Sequence, residues 1–455
     1  MKIVLIGAGS AQFGYGMLED IFQSERLKGT HIALLDINEE MVTKVYSRSK
    51  EFIESHGLPF TISAGNDRAE ALKDADHVII SIEVGDRFEL WDQDWKVPQQ
   101  YGIRQVYGEN GGAGGIFHAL RIIPPILEIC DDIMKICPEA YVFNYSNPMT
   151  AIVTTVKRKY PEIRFIGMCH EIASLKRYLP AIMDTSLDNI AFRAAGLNHF
   201  SVMLNASYKD SGEDAYQLVM ERTPALFSTE PGYSDILAFA KRTGLTIQTE
   251  GATERFMSEV TKSSRPWSDR TLFKQIFERF HLLPITSDSH IGEYLQWAYE
   301  VADHQGILDF YTFYRYSLSM DYPDLKLKTS GAHERSVPII EAMLEDSHME
   351  EAAVNIMNDG LIPDLPARVA VEVPGIVSKS GIKGVAFPDY PKGFGALLRN
   401  YTGTYDLLAD AVLEGSRDLV IQALLVNPVI DSIAKIPELV DVMLDYQSHW
   451  LGYIK

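Results

Sequence analysis

The chain opens on Lys2-Ile-Val-Leu-Ile6 and turns at once through Gly7-Ala8-Gly9-Ser10. A short apolar run that stops on glycines reads as a buried strand feeding a helix. The pattern then recurs. His31-Ile-Ala-Leu-Leu35 stops on Asp36, a short strand is expected near Phe60–Ala64, and His77-Val-Ile-Ile-Ser81 follows. Tyr141-Val-Phe-Asn144 and Arg164-Phe-Ile-Gly167 complete the series. Helical stretches separate these strands. Such alternation predicts an α/β fold, a doubly wound parallel sheet covered on both faces.

The first turn says what the sheet is for. Gly7 and Gly9 permit a tight turn and close approach of a pyrophosphate, which the following helix N-terminus attracts. Ser10, Gln12 and Phe13 continue that turn, and Gln12 stands where a third glycine is usual. Asp36 closes the second strand, the position of an acid that binds a ribose diol. With no arginine beside it, the expected cofactor is NAD rather than NADP. Residues 1–200 are therefore expected to form a Rossmann-like NAD-binding domain. Beyond residue 200 the alternation fails. Helical patterns cover 212–222, 233–241, 269–280, 290–303, 348–359, 406–427 and 436–450, and 367–374 is strand-like. Residues 201–455 are expected to be a mainly helical α+β domain carrying substrate and oligomer contacts, with a ligand cleft between the two.

The net charge of −20 over 455 residues argues against nucleic acid or an anionic membrane as the main partner. Three cysteines, Cys130, Cys137 and Cys169, are too few for a disulfide framework. No signal peptide or membrane span is expected, and the expected location is cytoplasmic.

Chemistry concentrates at strand ends. Arg164–Gly167 runs into Met168-Cys169-His170-Glu171, and Gly196-Leu-Asn198-His199 supplies a second imidazole. Taken alone, these are a buried thiol and a core histidine. Taken together, Cys169 and His199 offer a soft and a borderline ligand to a divalent metal. Tyr107-Gly108-Glu109-Asn110 leads a glycine-rich run into a helix, and Leu283–Tyr294 carries Asp288, Ser289, His290 and Glu293. Asp288 alone reads as a helix N-cap.

The ordered set Gly7-Ala-Gly9-Ser10, Asp36, Gly114-Gly115-Ile116, Asn147-Pro148-Met149, Cys169-His170-Glu171 and Asn198-His199-Phe200 resembles glycoside hydrolase family 4. Leu361-Ile-Pro363 and Val371-Glu372-Val373-Pro374 resemble its C-terminal motifs, so the likeness spans nearly the whole chain. The resemblance implies a glycosidase using NAD and a divalent metal, commonly Mn²⁺, outside the two-carboxylate scheme. It implies hydride removal at C3 of the glycone, deprotonation at C2, elimination of the aglycone, addition of water and return of the hydride. Cys169 and His199 would hold the metal, Asp288 would be the C2 base with Tyr294 in reserve, and His170 the acid. Glu109, Asn147, Glu171 and His290 would contact the sugar. Ser289 stands where the family more often has arginine. His170-Glu171 after the cysteine resembles the uronide-cleaving branch, which implies an α-galacturonide substrate and an arginine to hold its carboxylate. Arg87, Arg104, Arg121 and Arg270 are available. The family also implies a homodimer or homotetramer. Competing readings are an α-galactosidase, a glycosidase for another acidic sugar such as sulfoquinovose, a 2-hydroxy-acid dehydrogenase, and an NAD-sensing protein.

Overall fold

The computed structural model describes residues 1–9, 11–246, 252–260, 263, 265–319 and 334–455. Its strands are β1 (Lys2–Ile6), β2 (His31–Leu35), β3 (Thr61–Gly65), β4 (His77–Ile80), β5 (Tyr141–Asn144) and β6 (Arg164–Gly167), then β7 (Ile190–Leu197) and β8 (Phe200–Tyr208). β9 (Leu283–Pro284), β10 (Met349–Met357), β11 (Ala370–Ser378) and β12 (Gly381–Gly384) follow. β3-β2-β1-β4-β5-β6 lie side by side and parallel, the order of a Rossmann sheet. The apolar strands are where the sequence places them, because each is buried on both faces by helices. β4, His77–Ile80, is buried throughout.

The sheet does not stop at β6. β10 pairs antiparallel with β6, β11 with β10, β7 with β11, β8 with β7 and β9 with β8, so one sheet runs through both halves of the chain. A division at residue 200 falls inside the β7–β8 hairpin, whose strands meet at Leu197 and Phe200. The C-terminal half is helical as expected, with one correction. Residues 348–359 form β10 rather than a helix. Glu350-Glu351-Ala352-Ala353 has helical propensity, but pairing on both edges, with β6 and β11, outweighs it. The 290–303 pattern is also broken, into a four-residue helix, a 3₁₀ turn and a second short helix. The 406–427 pattern spans two helices, Lys392–Glu414 and Arg417–Val426, separated at Gly415 and Ser416.

The longest apolar helix, Gly112–Ile136, is long and apolar enough to cross a membrane, and 83% of its most apolar stretch is buried within this fold. It is the central core helix. Its Arg121 pairs with Asp94 at 2.6 Å, with side chains 3% and 1% exposed, and donates to Gln447 near the C-terminus at 2.7 Å. On the other side, Arg158 holds Asp406 and Asp410, each at 2.6 Å, tying the Met149–Lys159 helix to Lys392–Glu414.

Replacing Arg121 with Met strands a buried Asp94 carboxylate. A loss of about 3–5 kcal/mol is expected for breaking one partner of such a pair. A urea melt followed by tryptophan fluorescence checks this, and a midpoint within error of the parent refutes the role.

Candidate functional site

The site assembles where the β-strands end. β1 leaves the sheet through Gly7, whose φ is +88° and whose added Cβ would lie 1.9 Å from the Ser81 carbonyl oxygen. Only glycine fits there. Gly9 donates its N–H to Asp36 Oδ2 at 2.7 Å, and Asn38 N–H donates to Asp36 Oδ1 at 2.9 Å. Asp36 therefore ties the first turn to the second strand, and each of its oxygens keeps a further lone pair. Phe13 packs on Tyr145, ring centroids 5.0 Å apart. Ser10 and the Gln12 side chain lie outside the described residues.

At the other end of the cleft, β6 delivers Cys169 and the β7–β8 turn delivers His199. Cys169 Sγ lies 3.2 Å from His199 Nε2. His199 adopts φ +62°, and its Nδ1 is buried without a hydrogen-bond partner among the described residues. Burial, with His290 and His170, pushes the His199 imidazole well below its ordinary pKa, so it is neutral. Burial, with the carboxylates of Glu372 and Glu171, pushes the Cys169 thiol well up. No third His, Cys, Asp or Glu completes a ligand cluster among the described residues.

Around this pair sit the polar groups expected to touch substrate. His290 stacks on His199, centroids 4.5 Å apart, with Nε2 at 3.6 Å from Glu171 and Nδ1 at 3.9 Å from Glu293. Burial opposes its charge, yet Glu293, Glu171 and Glu109 lift His290 to about 9. Glu109 is buried and accepts from Arg87 at 2.9 Å. Asn110 has neither side-chain atom paired, and Asn147 Oδ1 is likewise without a partner. His170 is 72% exposed, its Nδ1 3.8 Å from Glu334, which raises the imidazole to about 9.

Two expected roles are corrected. Asp288 is fully buried and accepts from the Leu272, Phe273 and Asp303 N–H groups at 3.0, 2.9 and 2.9 Å, and from the Thr271 hydroxyl at 3.0 Å. Its carboxylate caps the N-terminus of the helix Thr271–Phe280 from a distant segment, and is not turned to the cleft as a base. Burial pushes its pKa up to about 6 against those donors. Tyr294 is buried between Phe200 and Tyr401, and its hydroxyl donates to the Asn198 carbonyl at 3.1 Å. Burial, with Tyr405, Glu293 and Tyr401, raises that phenol well above its ordinary value, the opposite of an activated base.

Several residues of the site make contacts that carried no sequence signal, although Glu293, Arg87 and Arg270 were themselves picked out. Glu293 accepts the N–H groups of Glu109 and Asn110 at 2.5 and 2.9 Å and so holds the glycine-rich loop. Glu83 joins His118 and Arg87; burial opposes its charge, but the His118 hydrogen bond and the Arg87 guanidinium take its carboxyl down to about 2. Arg177 and Arg270 both donate to the Tyr178 hydroxyl. Their signal lies in contacts between distant segments, which no spacing in the sequence displays.

Fold and site together define an α/β protein of the Rossmann class, with a polar cluster at the strand ends across two halves of one sheet. The chain belongs to family 4 of the glycosyl hydrolases: the Family 4 glycosyl hydrolase profile matches residues 2–185, and its C-terminal domain profile matches 194–430. The 2-hydroxy-acid dehydrogenase and NAD-sensor readings are thereby set aside. An alpha-glucosidase of Erwinia rhapontici is 58% identical over 454 residues, covering 100% of this chain and 99% of its own. An alpha-galacturonidase of Bacillus subtilis (strain 168) is 28% identical over 94% of this chain and 93% of its own. Among solved structures, a 6-phospho-alpha-glucosidase from gut microorganisms in complex with NAD and Mn²⁺ shares the fold, with TM-score 0.77, 20% identity and 98% of both chains covered.

Asp288→Asn separates a cap from a base. Loss of a general base costs about 10²–10⁴ in rate, whereas loss of an anionic cap lowers stability by about 1–3 kcal/mol. The expected outcome is a lower melting midpoint with kcat per folded molecule within about tenfold of the parent. A thousandfold fall in kcat with an unchanged midpoint restores Asp288 as the base.

Proposed function

We propose that this protein is an NAD- and Mn²⁺-dependent α-glycosidase whose substrate is an α-glucoside. The observation that carries the reading is the 3.2 Å contact between Cys169 Sγ and His199 Nε2 at the carboxyl ends of the strands. A neutral imidazole and a thiol whose charge is opposed by burial and carboxylates suit a cation, which reverses the electrostatic sign at the sulfur. Having two protein ligands leaves coordination positions for substrate, as in catalytic metal sites. At the other end, Gly7, Gly9 and Asp36 fit NAD, with the backbone of the first turn unobstructed by a Cβ and Asp36 free to accept from a ribose diol. When bound, the nicotinamide accepts and returns a hydride and the metal acts as a Lewis acid.

The chain's own residues supply the rest. His170, held protonated near neutrality by Glu334, gives its proton to the departing glycosidic oxygen. Asn110 and Asn147 offer unpaired amide groups, and Glu109 a carboxylate fixed by Arg87, to sugar hydroxyls. The Glu171–His290–Glu293 line fixes the imidazole stacked on His199. The glucoside assignment draws on the 58% identity to an alpha-glucosidase along the full chain.

A specific contact favours a second reading, the α-galacturonide. Arg87, Arg104 and Arg121 are engaged with carboxylates, but Arg270 is buried against the Ser268 carbonyl, the Tyr178 hydroxyl at 2.6 Å and the Phe227 ring. Arg177 meets the same hydroxyl and has Glu230 at 3.6 Å. Burial and Arg270 push the Arg177 pKa down. Two guanidinium groups sharing one neutral phenol suit a sugar carboxylate. An α-galactosidase and a sulfoquinovosidase are the remaining alternatives, and the same reading takes the protein as a cytoplasmic homodimer or homotetramer.

The test is hydrolysis of aryl α-glucoside and aryl α-galacturonide, with NAD⁺, Mn²⁺ and reductant omitted in turn. Cleavage of the glucoside that needs NAD⁺ and Mn²⁺, yields no net NADH and leaves deuterium at C2 when run in D₂O supports the proposal. A preference for the galacturonide transfers it to the second reading, and cleavage without NAD⁺ overturns both. Cys169→Ser is expected to lower turnover by at least about a hundredfold while NAD⁺ affinity, read by calorimetry, stays unchanged.

A further inference from the structure

One buried carboxylate is used neither by the cofactor turn nor by the sugar contacts. Glu372 lies on β11 at 2% exposure and faces three neutral donors. Its Oε2 accepts from Asn198 Nδ2 at 2.7 Å and from Asn355 Nδ2 at 3.2 Å, and its Oε1 from the Ser201 hydroxyl at 2.9 Å. Among the described residues no arginine or lysine is bonded to it. A buried carboxylate satisfied by neutral donors alone is costly to keep, and a selective reason for it is expected.

The register shows where this group stands. Gly167 of β6 is opposite Asn355 of β10, Asn355 is opposite Glu372 of β11, and Glu372 is opposite Gly196 of β7. These residues form a single row across the strands that join the parallel half of the sheet to the antiparallel half. The pairs Asn355–Gly167 and Glu372–Gly196 are the register pairs that bridge β10 to β6 and β11 to β7. Cys169 follows Gly167 by two residues and His199 follows Gly196 by three. The Asn355–Glu372 pair thus spans the gap between the two strand ends that carry the thiol and the imidazole.

Asn198 makes the connection. Its amide donates to Glu372. Its backbone N–H donates to the Thr150 hydroxyl at 3.3 Å and its carbonyl accepts from Tyr294. The residue immediately before the left-handed His199 is therefore held from several sides, and His199 in turn meets the Cys169 sulfur at 3.2 Å.

We propose that Glu372 is a positioning residue for the metal centre: it orients the Asn198 amide, which holds the His199 turn in register with Cys169 across the seam. The proposal rests on the reading that Cys169 and His199 hold the metal. Outer partners of this kind typically set about 10–100-fold in metal affinity.

The experiment is Mn²⁺ titration of the NAD-loaded protein by electron paramagnetic resonance, on the parent, Glu372→Gln, Asn198→Ala and the double variant. Glu372→Gln leaves one acceptor oxygen where Glu372 has two and removes the charge that holds the Asn198 amide. Mn²⁺ binding is expected to weaken by about 10–100-fold, with NAD⁺ affinity kept. Asn198→Ala is expected to show a similar loss and the double variant no further loss, because both act through one amide. If Glu372→Gln does not fold, Asn198→Ala decides alone, and parent-like Mn²⁺ affinity in it overturns the proposal. The same result in a folded Glu372→Gln overturns it, as does loss of NAD⁺ and Mn²⁺ binding together, which marks a purely structural carboxylate. A parent that binds no Mn²⁺ refutes the metal reading itself and is recognisable as such from the first titration.

Discussion

The constraint on which the structure depends is the completion of a parallel sheet by strands from the other half of the chain. β6 is the last parallel strand, and an open edge exposes a row of unpaired N–H and C=O groups. β10 covers that edge from the opposite direction, and β11, β7, β8 and β9 extend the surface. The join is narrow, so side chains reinforce it. Arg158 binds Asp406 and Asp410 across the helices on one face, and Arg193 forks onto Glu350 at 2.8 and 2.7 Å between β7 and β10. The thiol comes from one side of this join and the imidazole from the other. Neither half contains the pair alone, so the site is a consequence of docking rather than a property of a local motif.

Charge explains much of the arrangement within the cleft. Glu109, Glu171, Glu293 and Glu372 converge on a region whose cationic partners among the described residues are Arg87 and His290. Backbone and amide donors carry part of the load, as at Glu293 with the loop N–H groups and at Glu372 with two asparagines and a serine. In a low-dielectric interior such acceptor-rich walls favour any cation placed between them. The raised His290 and the raised Cys169 thiol are two answers to one field. Each holds its proton more tightly than in water: burial adds to the neighbouring negative charge at the thiol and is outweighed by it at the imidazole, and that charge favours the protonated form of both.

The parts of the fold that the sequence displayed are those made by neighbours in the chain. The strands β1, β2, β4, β5 and β6 are apolar because both faces are covered, and the Gly7–Gly9 turn and Asp36 lie within one βαβ unit. Cys169 and His199 stood out because each follows a strand by two residues, and the structure sets them 3.2 Å apart. Asp288 was misread because its acid sits beside a histidine in a suggestive segment, whereas its four donors belong to residues 271–273 and 303. Tyr294 failed for the same reason, its hydroxyl being spent on the Asn198 carbonyl. β10 was hidden because its composition suits a helix and only its two partner strands reveal the pairing. Local propensity describes what a segment prefers alone, and this fold decides the contested segments by contacts of long range.

The same division separates two groups of residues. Gly7, Gly9 and Asp36 lie close in one βαβ unit and are tied by the Gly7 N–H on the Leu35 carbonyl and the Gly9 N–H on Asp36. Glu334, Arg177, Arg270 and Glu293 come instead from four separate segments, each held by its own partners. A shift of one helix or loop there moves one of these groups without disturbing the first turn. Glycosidases of one family that are named for glucosides, galactosides and galacturonides match this chain along nearly its full length. His170, in the two-residue motif after Cys169, is 72% exposed, whereas Arg177 and Arg270 lie deeper, against Tyr178. That pair is placed by packing between distant segments, which the motif that marks the family does not report.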